Sequence, residues 1–498
     1  MRLATFGSSV YPQVNRPTAF AVATLSASAT VGAAVAAVGP QVAGSVAGAA
    51  VVIGILRSSG VAFALYLLVP PFLKGFLQPL VPVDLTVALG LACVLHVAYG
   101  IVAKRVSIRM SALILWFALL AMITVGSLYA PDQSLAFSRV QNWVGLVLLP
   151  LLVGFWVACD QRELERFIWT CLAVGLFVTL LAVLAISPSR RLLVDFSSTI
   201  NVGRASLMVP FIVFLYVMKD GPGWMRGPLL AVLPLTLVVS FAAGARGPLL
   251  MFFALAATLS IWHVARGRRI AKGTLAGAAA AVVMLGITVA VMPLPSVPID
   301  RFDRLAAYVT EGEMAADGSM AARLAAADLS VSIFEEHPAL GAGTGAFAYY
   351  SQMVPTISGI ENPHNILLEL AADWGAMGLV LFAVLVLAAI RRRPAAPVWT
   401  AVWGLFLFFL ANAMLGSFFD NRAFWGFALL LLAAPVAVRP HRSTTEPGEG
   451  AVPCGESVQP QPRGHHRSPA LTPMRILPSG RRGGRACGSP GCGRPALG

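Results

Sequence analysis

His364 is followed by Asn365 and then by two carboxylates, Glu369 and Asp373, one helical turn apart, in the segment ENPHNILLELAADWGAMGLVLF. That segment ends as an apolar run of membrane grade, and ionisable groups carried to membrane depth are costly and mark functional sites. Three arginines stand in comparable places: Arg204 in INVGRASLMVPF, Arg246 in SFAAGARGPLLMF and Arg422 in SFFDNRAFWGF. Guanidinium groups keep their charge and present forked donors that match phosphate oxygens. A histidine at a helix N-terminus feels the positive end of the macrodipole, which favours its neutral, proton-accepting form. Arginines with one such base describe a transferase. The cations stabilise a departing diphosphate while the imidazole takes a proton from an attacking hydroxyl. Interfacial snorkelling explains any one of these arginines taken singly. Polar groups from four parts of the chain at one depth favour a site.

The elements that must position them follow from composition. Of 498 residues, 57% are hydrophobic and only 12% charged, with a mean hydropathy of +0.78. Apolar runs recur along the chain, which implies a polytopic helical membrane protein rather than a soluble one. The formal charge of +14 is concentrated in short loops and in the last sixty or so residues, a topology signal and a basic tail rather than a nucleic-acid surface. Cys93, Cys159, Cys171, Cys454, Cys487 and Cys492 show no paired ligand spacing, so neither a disulfide framework nor a zinc site is expected. The His465-His466 pair reflects the composition of the tail. No metal and no cofactor is anticipated.

Runs and breaks predict about twelve spans, near 60–80, 84–103, 111–130, 142–158, 166–187, 203–218, 228–242, 247–264, 274–294, 364–390, 398–416 and 421–438. Alternate connections carry Lys104, Arg105 and Arg109; Arg162 and Arg166; Lys219 and Arg226; Arg266, Arg268, Arg269 and Lys272; and Arg391 to Arg393. The positive-inside rule puts these in the cytoplasm, and residues 295–363 outside. The expected fold is an all-α membrane bundle of about twelve transmembrane helices, with a large, mostly helical periplasmic loop between spans 9 and 10. Residues 1–57 form a weakly hydrophobic N-terminal segment, with one or two helices or a leader; 58–438 form the transmembrane domain; 439–498 form a disordered basic cytoplasmic tail. With this sidedness Arg204, Arg246, Arg422 and His364 share the outer ends of spans. Arg246 occupies a very short turn, Gly244 to Pro248.

Asp373 lies roughly 13 Å along a helix from His364 at 1.5 Å per residue. It reads as a partner for a buried arginine or a polar backbone group, and Glu369 likewise. Gly375 and Gly378 read as close-packing positions between helices. The glycines of GAGTGAF follow no strand, so they indicate a tight loop rather than a nucleotide cradle. The external loop carries nine acids against Arg301, Arg304 and Arg323. Within it, Met320 to Glu336 predicts an amphipathic helix whose apolar members are Leu324, Leu329, Val331, Ile333 and Phe334. That helix serves either to bind an acceptor glycan over the membrane opening or as a structural lid.

HPALGAGTGAF followed by ENPHNILLELAADWGAMGLVLF resembles the signature of the O-antigen ligase and polymerase superfamily. There a Pro-x-x-Gly-x-Gly loop leads into a His-Asn pair and a glycine-patterned helix. The matching residues are Pro338, Gly341, Gly343, Phe347, His364, Asn365, Gly375, Gly378 and Leu379, with Asp373 where the family more often has glutamate. GARGPLL resembles the family's Ser-Arg-Gly segment, with Ala245 replacing the serine. INVGRASL resembles the helix start two spans earlier, and GSMAARLAAADLSVSIFEEHPALG the loop segment that opens with an arginine, here Arg323. The resemblance covers roughly residues 60–438. It implies inverting, metal-independent glycosyl transfer from an undecaprenyl-diphosphate-linked glycan at the periplasmic face of a bacterial inner membrane. Arg246 and Arg204 would contact the diphosphate and His364 would activate or position the acceptor hydroxyl, with Arg323, Arg422 and Asn365 as further substrate contacts. The implied partners are a lipid-linked glycan donor, a glycan, glycolipid or protein acceptor, and membrane lipids. The His-Asn helix puts a ligase first, ahead of a repeat-unit polymerase or a protein O-oligosaccharyltransferase. A transporter or flippase for anionic lipids or solutes is the alternative of another class. It should show broken midplane helices or internal repeats, and no convincing repeat is present.

Overall fold

Polar residues at the borders of the apolar runs start the helices. In a computed structural model the described residues are 51–78, 83–103, 109–185, 198–265, 318–392, 396–417 and 422–434, all within one unit, Met1–Val438. Ser58 caps α1 (Ser59–Phe72), and Asp84 caps α2 (Leu85–Val102) by accepting from the amides of Thr86 and Val87. Lys74, hydrogen-bonded to Asp84, holds that carboxyl down to about 2. After α3 (Met110–Leu128), Asp132 caps α4 (Gln133–Trp143), which passes through a π-helical turn, Val144–Leu148, and Leu149–Leu151 to α5 (Val153–Cys159). Asp160 caps α6 (Gln161–Leu184) and Ser198 caps α7 (Thr199–Ile212), which continues through a second π-helical turn, Val213–Val217, to Asp220. Side-chain oxygens at these positions satisfy amides that the helix itself leaves free. The remaining helices are α8 (Gly223–Ala242), α9 (Arg246–Ala265), α10 (Gly318–Glu336), α11 (Ala346–Ser351), α12 (Ile366–Arg391), α13 (Pro397–Ala413) and α14 (Arg422–Ala433). Every regular element among the described residues is helical.

Among the described residues, six helices are long and apolar enough to cross a membrane: Leu85–Val102, Met110–Leu128, Gln161–Leu184, Thr199–Asp220, Gly223–Ala242 and Ile366–Arg391. Shorter apolar helices lie at Ser59–Phe72, Leu149–Cys159, Gly247–Thr258, Pro397–Ala413 and Arg422–Ala433. The chain is therefore a multi-pass membrane protein. The span expected near 274–294, loop residues 295–317, residues 1–50 and the tail at 439–498 lie outside the described residues. Val87, Leu91 and Leu95, four apart along α2, are each more than half exposed, as a lipid-facing stripe requires. Inward, Trp116 of α3, Trp143 of α4 and Trp425 of α14 meet edge-on or tilted in the core.

Contacts between helix ends fall into two groups, as an alternating bundle demands. At one end, Ser58, Ser59 and the Gly60 amide all donate to Glu163 Oε2 in the first turn of α6. There too, Arg392 Nη2 donates to Ser111 Oγ at 3.4 Å. At the other end, Asn201 Nδ2 donates to the Pro71 carbonyl at 3.0 Å, and Thr344 Oγ1 to the Ile123 carbonyl at 2.8 Å.

Helix α12 is not continuous. Gly375 has φ 59° and ψ −152°, a region essentially open only to glycine. The intrahelical bonds that would join Ala376 to Ala372 and Met377 to Asp373 are replaced by bonds to the loop before α11. Ala376 and Met377 amides donate to the Pro338 and Ala339 carbonyls at 2.8 and 3.1 Å. The Ala372 and Asp373 carbonyls accept from Ala342 and Gly343, each at 2.9 Å. Two helical bonds become four, so the glycine-rich loop is built into the helix rather than laid on it. This corrects the reading of Gly375 as a helix-packing glycine, whereas Gly378 does lie close to Met122 of α3. A Cβ on Gly375 would stand 2.6 Å from the Gly341 nitrogen. Gly375→Ala is expected to cost about 2–3 kcal/mol or more and to expel the loop. A lowered unfolding temperature in detergent and new proteolytic sites within 338–347 would report it.

The expected loop helix is present as α10 and packs against α12. Its buried line is Ala326, Ser330 and Ile333. Val331, grouped with the apolar face from sequence, is 44% exposed, because it lies about 160° around the helix from its buried neighbour Ile333.

Candidate active site

Capping of α7 by Ser198 fixes where Arg204 enters the bundle. Its guanidinium donates through Nε to Asn412 Oδ1 at 3.4 Å, through Nη2 to the Asn412 carbonyl at 3.3 Å, and through Nη1 to Asn201 Oδ1 at 3.4 Å. These are long bonds to neutral oxygens, the kind a phosphate would outcompete. Asn412 is fully buried in the last turn of α13. A little further along, Ser417 donates to Glu369 Oε1 at 3.1 Å, in the first turn of α12. The ends of α1, α7, α12 and α13 are thus joined by side-chain bonds.

The turn before α9 presses on the same place. Gly244 takes φ 65°, which lets the chain reverse between α8 and α9. A Cβ on Gly203, the residue before Arg204, would lie 2.4 Å from Ala245 Cβ. A Cβ on Gly247 would lie 2.8 Å from Leu415 Cδ1. Arg246 therefore opens α9 at a point that touches both α7 and the 412–417 segment. Ala245 is buried and packs against Gly203 of α7, so this position is a packing contact.

His364 is exposed and stands just ahead of α12, at φ 52°, the only described non-glycine residue with positive φ. Such a conformation costs on the order of 1–3 kcal/mol and persists only where the surroundings over-determine it. The His364 amide donates to Asn362 Oδ1 at 3.2 Å. Asn365 spends its side-chain oxygen on capping α12, accepting from Leu367 at 2.9 Å and Leu368 at 3.3 Å.

Asp373 is fully buried and has backbone partners. Oδ2 accepts from the Gly345 amide at 2.8 Å and Oδ1 from the Phe347 amide at 3.1 Å. Arg139 of α4 attracts this carboxylate electrostatically. Trp374 Nε1 donates to Thr344 Oγ1 at 3.0 Å, and Tyr129 Oη to the Leu340 carbonyl at 2.7 Å. Burial, and then the Asp373 charge, push the Tyr129 phenol above its ordinary value.

Among the described residues neither Arg422 nor Arg323 is hydrogen-bonded to the other candidates. Arg422 is half-buried at the start of α14, with Nη1 buried and lacking a hydrogen-bond partner among the described residues, and it interacts electrostatically with Tyr66 of α1. Arg323 is exposed on α10, and no hydrogen bond or ion pair among the described residues joins it to the other candidates. Sequence reasoning missed Arg139 and Asn412. Arg139, in SLAFSRVQNW, shows the signal that marked Arg204: a basic residue beside an apolar run, on the side that the expected topology leaves poor in basic residues. Asn412 is a lone amide in an apolar run. Among the described residues no group of three or more His, Cys, Asp and Glu side chains is arranged to hold a metal ion.

Residues 230–383 match the family model for O-antigen ligase. The matched interval runs from α8 past Arg246, through α10 and His364, and into α12. No curated protein matches the chain.

Proposed function

Starting from a chain that carries an O-antigen ligase domain, for which glycosyl transfer of the ligase or polymerase type is the implied chemistry, we propose that the protein moves an undecaprenyl-diphosphate-linked oligo- or polysaccharide onto an acceptor hydroxyl. The transfer takes place at the periplasmic face of a bacterial inner membrane, in a bundle of about twelve spans with 295–363 outside. The observation that carries this reading is the convergence of α7, α9, α12 and α13 ends around Arg204, Asn412 and Glu369, with Arg246 and His364 at the adjoining helix starts.

In the proposed step the acceptor oxygen attacks the anomeric carbon. The bond from that carbon to the diphosphate oxygen breaks with inversion, and His364 takes the acceptor proton. Arg246 and Arg204 stabilise the charge that gathers on undecaprenyl diphosphate as it leaves. No metal is assigned a role, because guanidinium groups supply the positive charge. Arg422, Arg323 and Asn365 are assigned to further substrate contacts.

The test is an assay of the full chain in nanodiscs with a defined lipid-diphosphate glycan donor. Lipid A-core, a second lipid-linked repeat and a protein acceptor are offered in turn. Transfer with inverted linkage, unchanged by a chelator, is expected, with lipid A-core the best acceptor. Failure with every acceptor, movement of lipid across the bilayer without transfer, or recovery of activity only with one added metal would contradict the reading.

A further inference from the structure

Arg139 belongs to none of the roles assigned so far, yet it meets Gly345, Asp373 and the Glu361 carbonyl at the start of the turn that leads to His364. It is half-buried on α4. Its stem lies across Gly345, where an added Cβ would come 3.3 Å from Arg139 Cδ and 3.5 Å from Nε. Gly345, at φ 81°, gives its amide to Asp373, the carboxylate that Arg139 attracts. From the same side chain, Nη2 donates to the Glu361 carbonyl at 3.3 Å. Glu361 opens the turn that ends in His364. Its predecessor Ile360 is itself held, since Ser351 Oγ donates to the Ile360 carbonyl at 2.7 Å.

The geometry points to Arg139 as a positioning residue: it holds the Glu361–His364 turn against the loop built into α12 and so keeps His364 in its left-handed conformation over the site. This rests on the reading of His364 as the group that acts on the acceptor. A forked, planar cation suits the task because one arm reaches a carbonyl while the charge remains near Asp373. Lysine keeps the charge and loses the fork. A strained residue relaxes once its constraints are removed, and misplacement by about 1 Å is enough to slow a positioned reaction by on the order of 10²-fold.

The experiment is a double-mutant cycle with single-turnover transfer, donor affinity and unfolding temperature read on each protein in nanodiscs. Arg139→Gln is expected to slow transfer by roughly 10- to 100-fold, with donor affinity changed less than about twofold. Arg139→Lys should fall between it and the native protein. With His364 already replaced by alanine, Arg139→Gln should slow the reaction no further, because a positioning residue has nothing left to position. Should Arg139→Gln fail to fold, the lysine variant carries the same cycle. Multiplying effects, a loss of donor affinity that matches the loss of rate, or native rates in both variants would each overturn the inference. A native rate in His364→Ala alone would instead remove the reading on which it rests.

Discussion

His364→Ala is expected to slow transfer by about 10²–10⁴-fold, the usual scale for loss of a general base, while leaving donor binding nearly intact. The expectation follows from where the residue sits. His364 is exposed at the mouth of α12, ahead of the helix that carries Glu369 into the bundle, and is held at φ 52° between an Asn362 turn and the Asn365 cap. A histidine kept in a costly backbone conformation, in a turn fixed by several separate bonds, has been placed. Removing the imidazole takes away the proposed proton acceptor and leaves the guanidinium groups in place, so donor binding is expected to survive.

Arg246→Lys is expected to weaken donor binding and to slow transfer by about thirty- to a thousand-fold. Losing one charge-assisted contact to a developing diphosphate costs roughly 2–4 kcal/mol of transition-state stabilisation. Lysine preserves the charge but not the fork, so insertion and folding should be normal while donor recognition fails. The turn that bears Arg246 is packed on both sides, with Ala245 against Gly203 on one and Gly247 close to Leu415 on the other. A side chain launched from it has a fixed origin. Donor binding measured alongside native-like unfolding in detergent checks this. Normal binding and normal transfer would reduce Arg246 to an anchor for its turn.

The membrane class and the helix starts were legible because they rest on local physics: apolar runs, and polar residues at their borders. The helix before the glycine-rich loop was legible from its charges, although Val331 turned outward because periodicity over a few residues leaves a helix face loosely defined. Asp373 was read as the partner of buried backbone or arginine, and its carboxylate accepts from Gly345 and Phe347 amides. What the sequence hid is non-local. Gly375 sits within an unbroken helical pattern, and only the loop from Pro338 to Gly343 supplies the bonds that let the helix open there. Arg139 and Asn412 likewise matter through partners more than two hundred residues away, Glu361 and Arg204.

Donor and acceptor chemistry are proposed to reside on different residues of one site. The most direct measurement loads full-length protein with labelled lipid-diphosphate glycan, removes excess donor, and chases with acceptor, comparing His364→Ala with Arg246→Lys. Opposite defects are expected: His364→Ala forms the donor complex and fails to chase it, whereas Arg246→Lys forms little complex. A donor complex of His364→Ala that chases at the native rate, or the same defect in both variants, would contradict it.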